Sequence, residues 1–330
     1  MPEPEKHWKT VTRSQFQWEQ EALDFVYERF PAQDNYRAWA NFEFIADDGS
    51  INEVDLLVAC PQGVFLIEIK SRPGELSGDV AEWTWNFEGR NKTEDSPVFL
   101  TNKKCKRLKS LLARQKAFKK DGVPFIEPLV FVSHPNIVCR LTGTAEHYVR
   151  LRDTERRSGI MAAIRQRECP GLKQFEHQLV DRPKIKALAQ ALEQAGIRPS
   201  QKARRVGDFI LEELLFESPL GIYQDWRAKH SILESTRRVA RIYLVSRQAT
   251  QREREIIRKA AVREFELLER LDHPGVLKAD PPTECEYGPV LFLRQEPRAI
   301  TLNRFLREEG AALPVDQRLS ILRQIGETIA

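Results

Sequence analysis

The sequence predicts a two-domain α/β (α+β) protein, a central mixed sheet flanked by helices followed by a smaller antiparallel sheet with one long helix. Three observations predict it. Residues 14–133 alternate helical spacing with short apolar runs of strand length, residues 196–205 interrupt the pattern with Gly196, Pro199 and a basic run, and strand-like runs then resume around a long charged helix. The reading assigns a first domain to 1–150, a helical extension and linker to 151–205, and a second domain to 206–330. With 330 residues, 41% of them hydrophobic, there is enough apolar material for two cores.

The elements follow in order. "SQFQWEQEALDFVYERF", residues 14–30, has helical spacing, a Ser start signal and Pro31 as its stop. Between 36 and 70, "YRAWANFEFIA", "INEVDLLVA" and "GVFLIEIK" read as three strands punctuated by "DDGS" and "CPQG", which makes an antiparallel meander. A Gly- and Asp-rich stretch with Trp83 and Trp85 leads to a helix over "TNKKCKRLKSLLARQKAFKKDG" and a continuous apolar strand, "PLVFVS", at 128–133. The extension contains the charged helical run "KIKALAQALEQAGIRPSQKARR". In the second domain "VGDFILEELLFESPLGIYQDWRAKH" and "RRVARIYLV" precede the long helix "REREIIRKAAVREFELLERLDHPG", with strands near 276 and 290. The final "PVDQRLSILRQIGETIA" aligns Leu319, Leu322 and Ile325 on one helix face without a C-cap, and the helix is expected to run on past the last residue.

Composition narrows the function classes. Cys60, Cys105, Cys139, Cys169 and Cys285 are odd in number and never form a CxxC pair, which argues against a disulfide framework and a zinc site and fits a reducing cytoplasm. The six histidines show no HxxxH or HExxH spacing. The N-terminus lacks an apolar signal region and no apolar run approaches a membrane span, so a cytoplasmic protein with no membrane partner is expected. A formal charge of +4 is too small to announce a nucleic-acid binder, so placement of the charges matters more than their sum.

The meander carries the chemistry. Residues two apart on a strand share a face, so Glu68 and Lys70 point the same way. Pro61 disfavours the primed two-residue turns, and a four-residue "CPQG" loop on a type I turn closes Ala59 on Val64. Counting back sets Asp55 opposite Glu68, with Cβ atoms about 4.5–5.5 Å apart. At 4 Å and an effective dielectric of 20, two such carboxylates repel by roughly 4 kcal/mol, so a positive charge belongs between them. Lys70 supplies one, and Mg²⁺ (or Mn²⁺) on oxygen ligands suits the geometry better. The implied chemistry is phosphodiester hydrolysis, with Asp55 and Glu68 as metal ligands and Lys70 stabilising charge on the phosphorus. A surface hairpin would carry the same Glu-x-Lys as a solvated salt bridge, but "VDLLVA" and "VFLIEI" are too apolar for a solvated face. Glu19 adds a third acid, since its spacing to Ala22, Leu23 and Val26 turns it inward while Glu21 aligns with Glu28 toward water.

The helix-one Glu followed by "VDLLVACPQGVFLIEIKSRPGELSGD" resembles the NERD (nuclease-related) domain, a branch of the PD-(D/E)xK nuclease-like superfamily. The resemblance covers about residues 14–135 and implies a PD-(D/E)xK core in which Glu19, Asp55, Glu68 and Lys70 take the metal and catalytic roles. The chain departs from the usual Asn-Pro and following Gln, with "SPVFLTNKK" in their place. Behind it, residues 103–120 hold nine Lys or Arg and no acid, beside a stripe of Leu108, Leu111, Leu112 and Phe118. Lys103, Lys104, Lys106 and Arg107 are the candidate DNA contacts, tracking phosphates without reading sequence; a solvated charged face is the alternative.

"VARIYLV", "REFELLERLDHPGVLKA" and "GPVLFLRQEPRAITLNRFLRE" resemble the small lobe and hinge of eukaryotic-like protein kinases. By that resemblance Glu264 is the helix glutamate, Arg241 stands where the strand lysine belongs, and Gly221 is what remains of a Gly-rich loop, so ATP is a cofactor expected only of a full-length protein. No HRD or DFG segment occurs within the residues given, and kinase activity is not expected of them alone. A NERD domain followed by a kinase-like lobe resembles the NERD-kinase proteins of phage-growth-limitation (BREX-type) defence systems, an impression strengthened by "GIYQDWRAKH" and "IRPSQKARRVGDF". That resemblance implies a bacterial defence protein with DNA and other defence-system proteins as partners. Its rival is a serine/threonine kinase signalling component whose NERD domain only docks DNA or a partner.

Overall fold

The computed structural model describes residues 7–14, 16–119, 122–166, 179–199, 204–233, 235–295, 302, 305–306 and 313–329. Lys120, Cys169, the 200–203 part of the junction and most of the hinge stretch 296–312 lie outside the described residues. The chain forms two compact units, one of 1–44 with 52–200 and one of 45–51 with 201–330.

In the first unit the order is β1 (Trp8–Thr10), α1 (Gln17–Tyr27), β2 (Arg37–Ile45), β3 (Ile51–Cys60), β4 (Gly63–Lys70), β5 (Glu75–Gly78), β6 (Glu82–Phe87), β7 (Arg90–Asp95) and α2 (Pro97–Ala113). Then come β8 (Ile126–Val132), β9 (Val138–Leu141), α3 (Ala145–Tyr148), β10 (Val149–Arg150), α4 (Ile160–Gln166), α5 (Arg182–Gln194) and β11 (Arg198–Pro199). The main sheet runs β1-β2-β3-β4-β8-β10, with β11 also paired to β2. It is mixed: β3 and β4 are antiparallel, β4 and β8 parallel.

The expected register holds, because Ala59 pairs with Val64 and Leu56 with Ile67. The turn is tighter than predicted, since Cys60 also pairs with Gly63, leaving only Pro61 and Gln62 in the loop. Gly63, at φ 151°, takes up the bend in a conformation that side chains rarely adopt. Strand β4 is apolar on both faces because both are covered. Phe65, Ile67 and Ile69 pack with Ala22, Leu23 and Val26 of α1 and with Ile160, Ala163 and Ile164 of α4. Residues 160–164, expected as part of a separate extension, therefore lie in the core of this unit. Helix α2 begins at Pro97, four residues before the predicted Thr101, because the Ser96 side chain accepts from the Val98 amide and Pro97 opens the first turn. The Trp83 and Trp85 stretch, expected only as a Gly- and Asp-rich connection, forms strands of a second sheet, β7-β6-β5-β9.

The second unit contains β12 (Arg204–Val206), β13 (Phe209–Glu217), β14 (Tyr223–His230), β15 (Arg237–Tyr243), α6 (Gln251–Arg270), β16 (Thr283–Cys285), β17 (Gly288–Leu293) and α7 (Val315–Ile329). Its sheet runs β12-β13-β14-β15-β17-β16, antiparallel throughout. No strand forms at 276; the nearest element is a bridge of Ala279 to Leu293, because residues 273–276 make a turn in which the Val276 amide donates to the His273 carbonyl. One sheet face buries Leu211, Trp226, Ala240 and Ile242, and the other packs Tyr243, Leu291 and Leu293 against Ala261 of α6. Thr250 and Glu253 close a capping box at the start of α6.

Two substitutions test this account by chemical denaturation. Ile67→Ala in the first core is expected to cost about 2–5 kcal/mol. Thr250→Ala, which removes only the cap, is expected to cost about 1 kcal/mol.

Candidate functional site

Strand alternation sorts the residues of β4 before any chemistry enters. Phe65, Ile67 and Ile69 face α1, so Glu68 and Lys70 stand on the opposite face. In β3, Leu56 and Val58 join the α1 side. One register step beyond the Leu56 and Ile67 pair, Asp55 falls beside Glu68 on the same side. The Asp55 carboxylate accepts a 2.7 Å hydrogen bond from the Ile69 amide, fastening the acid to the neighbouring strand.

Glu68 is held twice. Lys70 Nζ donates to Oε1 at 3.0 Å, and Lys104 Nζ of α2 donates to Oε2 at 2.7 Å. The Lys104 and Glu68 side chains are 9% and 10% exposed, whereas Lys70 is 35% exposed and its pair is the more screened by water. Lys104 arrives there by helix geometry. It belongs to the buried stripe of Thr101, Lys104, Cys105, Leu108, Leu111 and Leu112, spaced three and four apart.

The electrostatics follow from this placement. Burial by itself would raise the Glu68 carboxyl, but the Lys104 and Lys70 ammonium groups outweigh it and hold Glu68 down at about 2. Asp55 goes the other way: burial, then the neighbouring charges of Glu68 and Glu19, push it well above the usual carboxylate range, and the two lysines only partly oppose them. Burial would lower both lysines, yet Glu68 and Asp55 keep them charged with raised values.

Several expectations need correction. Glu19 is buried on the inward side of α1 as predicted, and it senses Asp55 electrostatically. Its helix packs on the sheet face opposite to Glu68. Among the described residues no group of three or more His, Cys, Asp or Glu is arranged to hold a metal ion. The donor types suit Mg²⁺ or Mn²⁺, and in this arrangement each Glu68 oxygen already accepts from an ammonium group, whose charge opposes a cation placed beside it. Lys104 is not a surface DNA contact, since it points inward from α2. Lys103 and Lys106 are exposed, and Arg107 is partly buried with a 3.4 Å hydrogen bond to Asn52.

In the second unit, strand alternation places Arg241 and Tyr243 on the α6 side, and Arg241 meets Glu264 at 2.7 Å. Sequence reasoning missed Asp225. Directly opposite on β14, it takes two hydrogen bonds from the same guanidinium, at 2.8 and 2.9 Å. The Tyr243 hydroxyl also donates to Glu264. Gly221, at φ 65°, sits in the short turn between β13 and β14. Three hydrogen bonds thus tie Arg241 to two carboxylates, which is a different state from a strand lysine free to reach a phosphate.

The Glu68 pairs also fix an acid response. A carboxylate held below its ordinary value of 4.5 adds stability that is complete above that value and is lost as the pH falls toward about 2. Thermal melts across that window are expected to fall less steeply for Glu68→Gln than for the unsubstituted chain.

Residues 14–133 match the family described as nuclease-related domain, NERD. The chain is 32% identical over 335 residues to the probable kinase PglW of Streptomyces coelicolor, a match covering 98% of this chain and 20% of that protein. The chain therefore spans about one fifth of the length of that relative. Among solved structures, the apo form of PpkA-294 matches with TM-score 0.27 at 22% identity, covering 33% of this chain and 43% of that one. The PknI kinase domain of Mycobacterium tuberculosis matches with TM-score 0.29 at 17% identity, covering 38% of this chain and 48% of that one. Scores this low carry no argument about the fold. Residues 14–133 belong to the nuclease-related (NERD) domain family.

Proposed function

We propose that the chain is part of a bacterial anti-phage defence protein of the NERD-kinase type, and that its NERD domain binds DNA and hydrolyses phosphodiester bonds. The observation that carries this reading is the juxtaposition of Asp55, Glu68 and Lys70 on one sheet face, in a register that leaves Lys70 partly open to solvent. An incoming phosphate would meet the Lys70 ammonium, which offsets the negative charge that grows on the phosphoryl oxygens as the bond breaks. Glu68 keeps that ammonium charged and aimed. Lys103 and Lys106, exposed on α2, supply salt-dependent attraction to the backbone. The kinship with a relative named as a probable kinase, together with the NERD match, supports the defence assignment.

A second reading rests on the 2.7 Å Arg241 to Glu264 pair, which has the layout of the strand-base and helix-acid pair of protein kinases. In it the whole protein is an ATP-dependent signalling kinase and the NERD domain only docks DNA or a partner. Autophosphorylation by the full-length protein that is unaffected by Glu264→Ala would remove its basis.

The first reading is tested with plasmid DNA in Mg²⁺ or Mn²⁺. Lys70→Ala is expected to reduce nicking by about 10²-fold or more, and equal nicking by both proteins would discard the assignment. Lys103→Ala with Lys106→Ala is expected to lower the slope of log affinity against log salt by roughly 1 for each lysine that contacts a phosphate.

A further inference from the structure

The donor set around Asp55 and Glu68 is that of a divalent-cation site, yet the place beside Glu68 is taken by an amine. Lys70 alone would neutralise Glu68. A second lysine, buried on the inward stripe of α2, needs a reason, because burying an ammonium group is costly unless a carboxylate meets it. Lys104 meets one at 2.7 Å and occupies the oxygen of Glu68 that Lys70 leaves open. The two lysines thereby balance two acids that the hairpin register forces together.

We propose that Lys104 is the resident counter-cation of this centre and a positioning residue for Glu68, so that a divalent cation gains the carboxylate only by displacing the Lys104 ammonium group. Mg²⁺ coordination would bring the cation to about 2.0–2.1 Å from a Glu68 oxygen, and there it would stand beside the Lys104 ammonium group, whose like charge opposes it. The displaced amine would have to leave the stripe between Thr101 and Leu108, which ties metal entry to an adjustment of α2. The neighbouring Lys106, on the exposed side of the same helix, has no such role. The inference rests on reading the centre as the NERD domain's working site, but it concerns cation binding and not bond cleavage.

The test uses the whole 330-residue chain and Mn²⁺ alone, read by calorimetric titration and by melting temperature. Lys104→Met is expected to bind Mn²⁺ on the order of tenfold or more tightly than the unsubstituted chain. Its melting temperature, lowered without metal, is expected to recover as Mn²⁺ is added, while that of the unsubstituted chain hardly moves. Lys106→Met, with the same change in charge, is expected to match the unsubstituted chain in both readouts. Where Lys104→Met does not fold, Lys104→Gln keeps a polar group toward Glu68 and is held to the same outcomes. Unchanged affinity in the Lys104 variants, or weaker binding than in the unsubstituted chain, overturns the proposal; so does an equal gain in Lys106→Met. A chain that shows the expected Mn²⁺ behaviour but never nicks DNA loses the nuclease reading and keeps this one.

Discussion

The double ion pair on Glu68 is the constraint around which the first unit is arranged. A carboxylate 8% exposed in a strand that is otherwise apolar is tolerable only if positive charge reaches it from two sides. One side is the strand itself, two residues on, where alternation returns Lys70 to the same face. The other is α2, whose stripe delivers Lys104. Losing one partner of such a buried pair costs on the order of 3–5 kcal/mol, comparable to deleting a large core side chain, so this polar contact belongs with Leu66 and Val130 among the features that fix the layer.

Both units use the same device. In each, a hairpin sets charged groups opposite or beside one another on the sheet face that a helix covers, and the helix brings the counter-charge. In the first the acids Asp55 and Glu68 lie on the strands and the base Lys104 on the helix. In the second the base Arg241 lies on a strand between Asp225 of its neighbour and Glu264 of α6. The arrangement couples helix position to the state of a charged centre, because moving either helix by an ångström or two would leave a partly buried charge unmatched. The two centres differ in openness to phosphate. Lys70 retains solvent access, whereas Arg241 gives three hydrogen bonds to two carboxylates.

Much of the first site was legible in the sequence because strand geometry has a period of two and a hairpin turn has few solutions. The register of Ala59 on Val64 followed from Pro61 and Gly63, and with it the pairing of the acids. Lys104 was legible as well, although the basic run around it pointed to the exposed face. Four residues back from Leu108 and seven back from Leu111, both recognised as buried, is Lys104, so the spacing that named the stripe also named its charged member. Net basicity of the segment hid it. Asp225 was harder to find, since its role depends on β14 and β15 pairing in one register across a connection that contains no hairpin signal of comparable strength.

By itself the sequence determined which residues could share a face: the alternation of Glu68 with Lys70 and the inward turn of Glu19 are local periodicities, set by the backbone repeat. Tertiary structure decided which faces meet. Glu19 rides on a helix that packed on the face opposite to Glu68, and Lys104 took the place expected for a cation because α2 packed on this one. Side-chain period is a property of a single segment. The side of a sheet that a helix covers depends on burying the largest apolar area across all segments together, a quantity no local stretch contains.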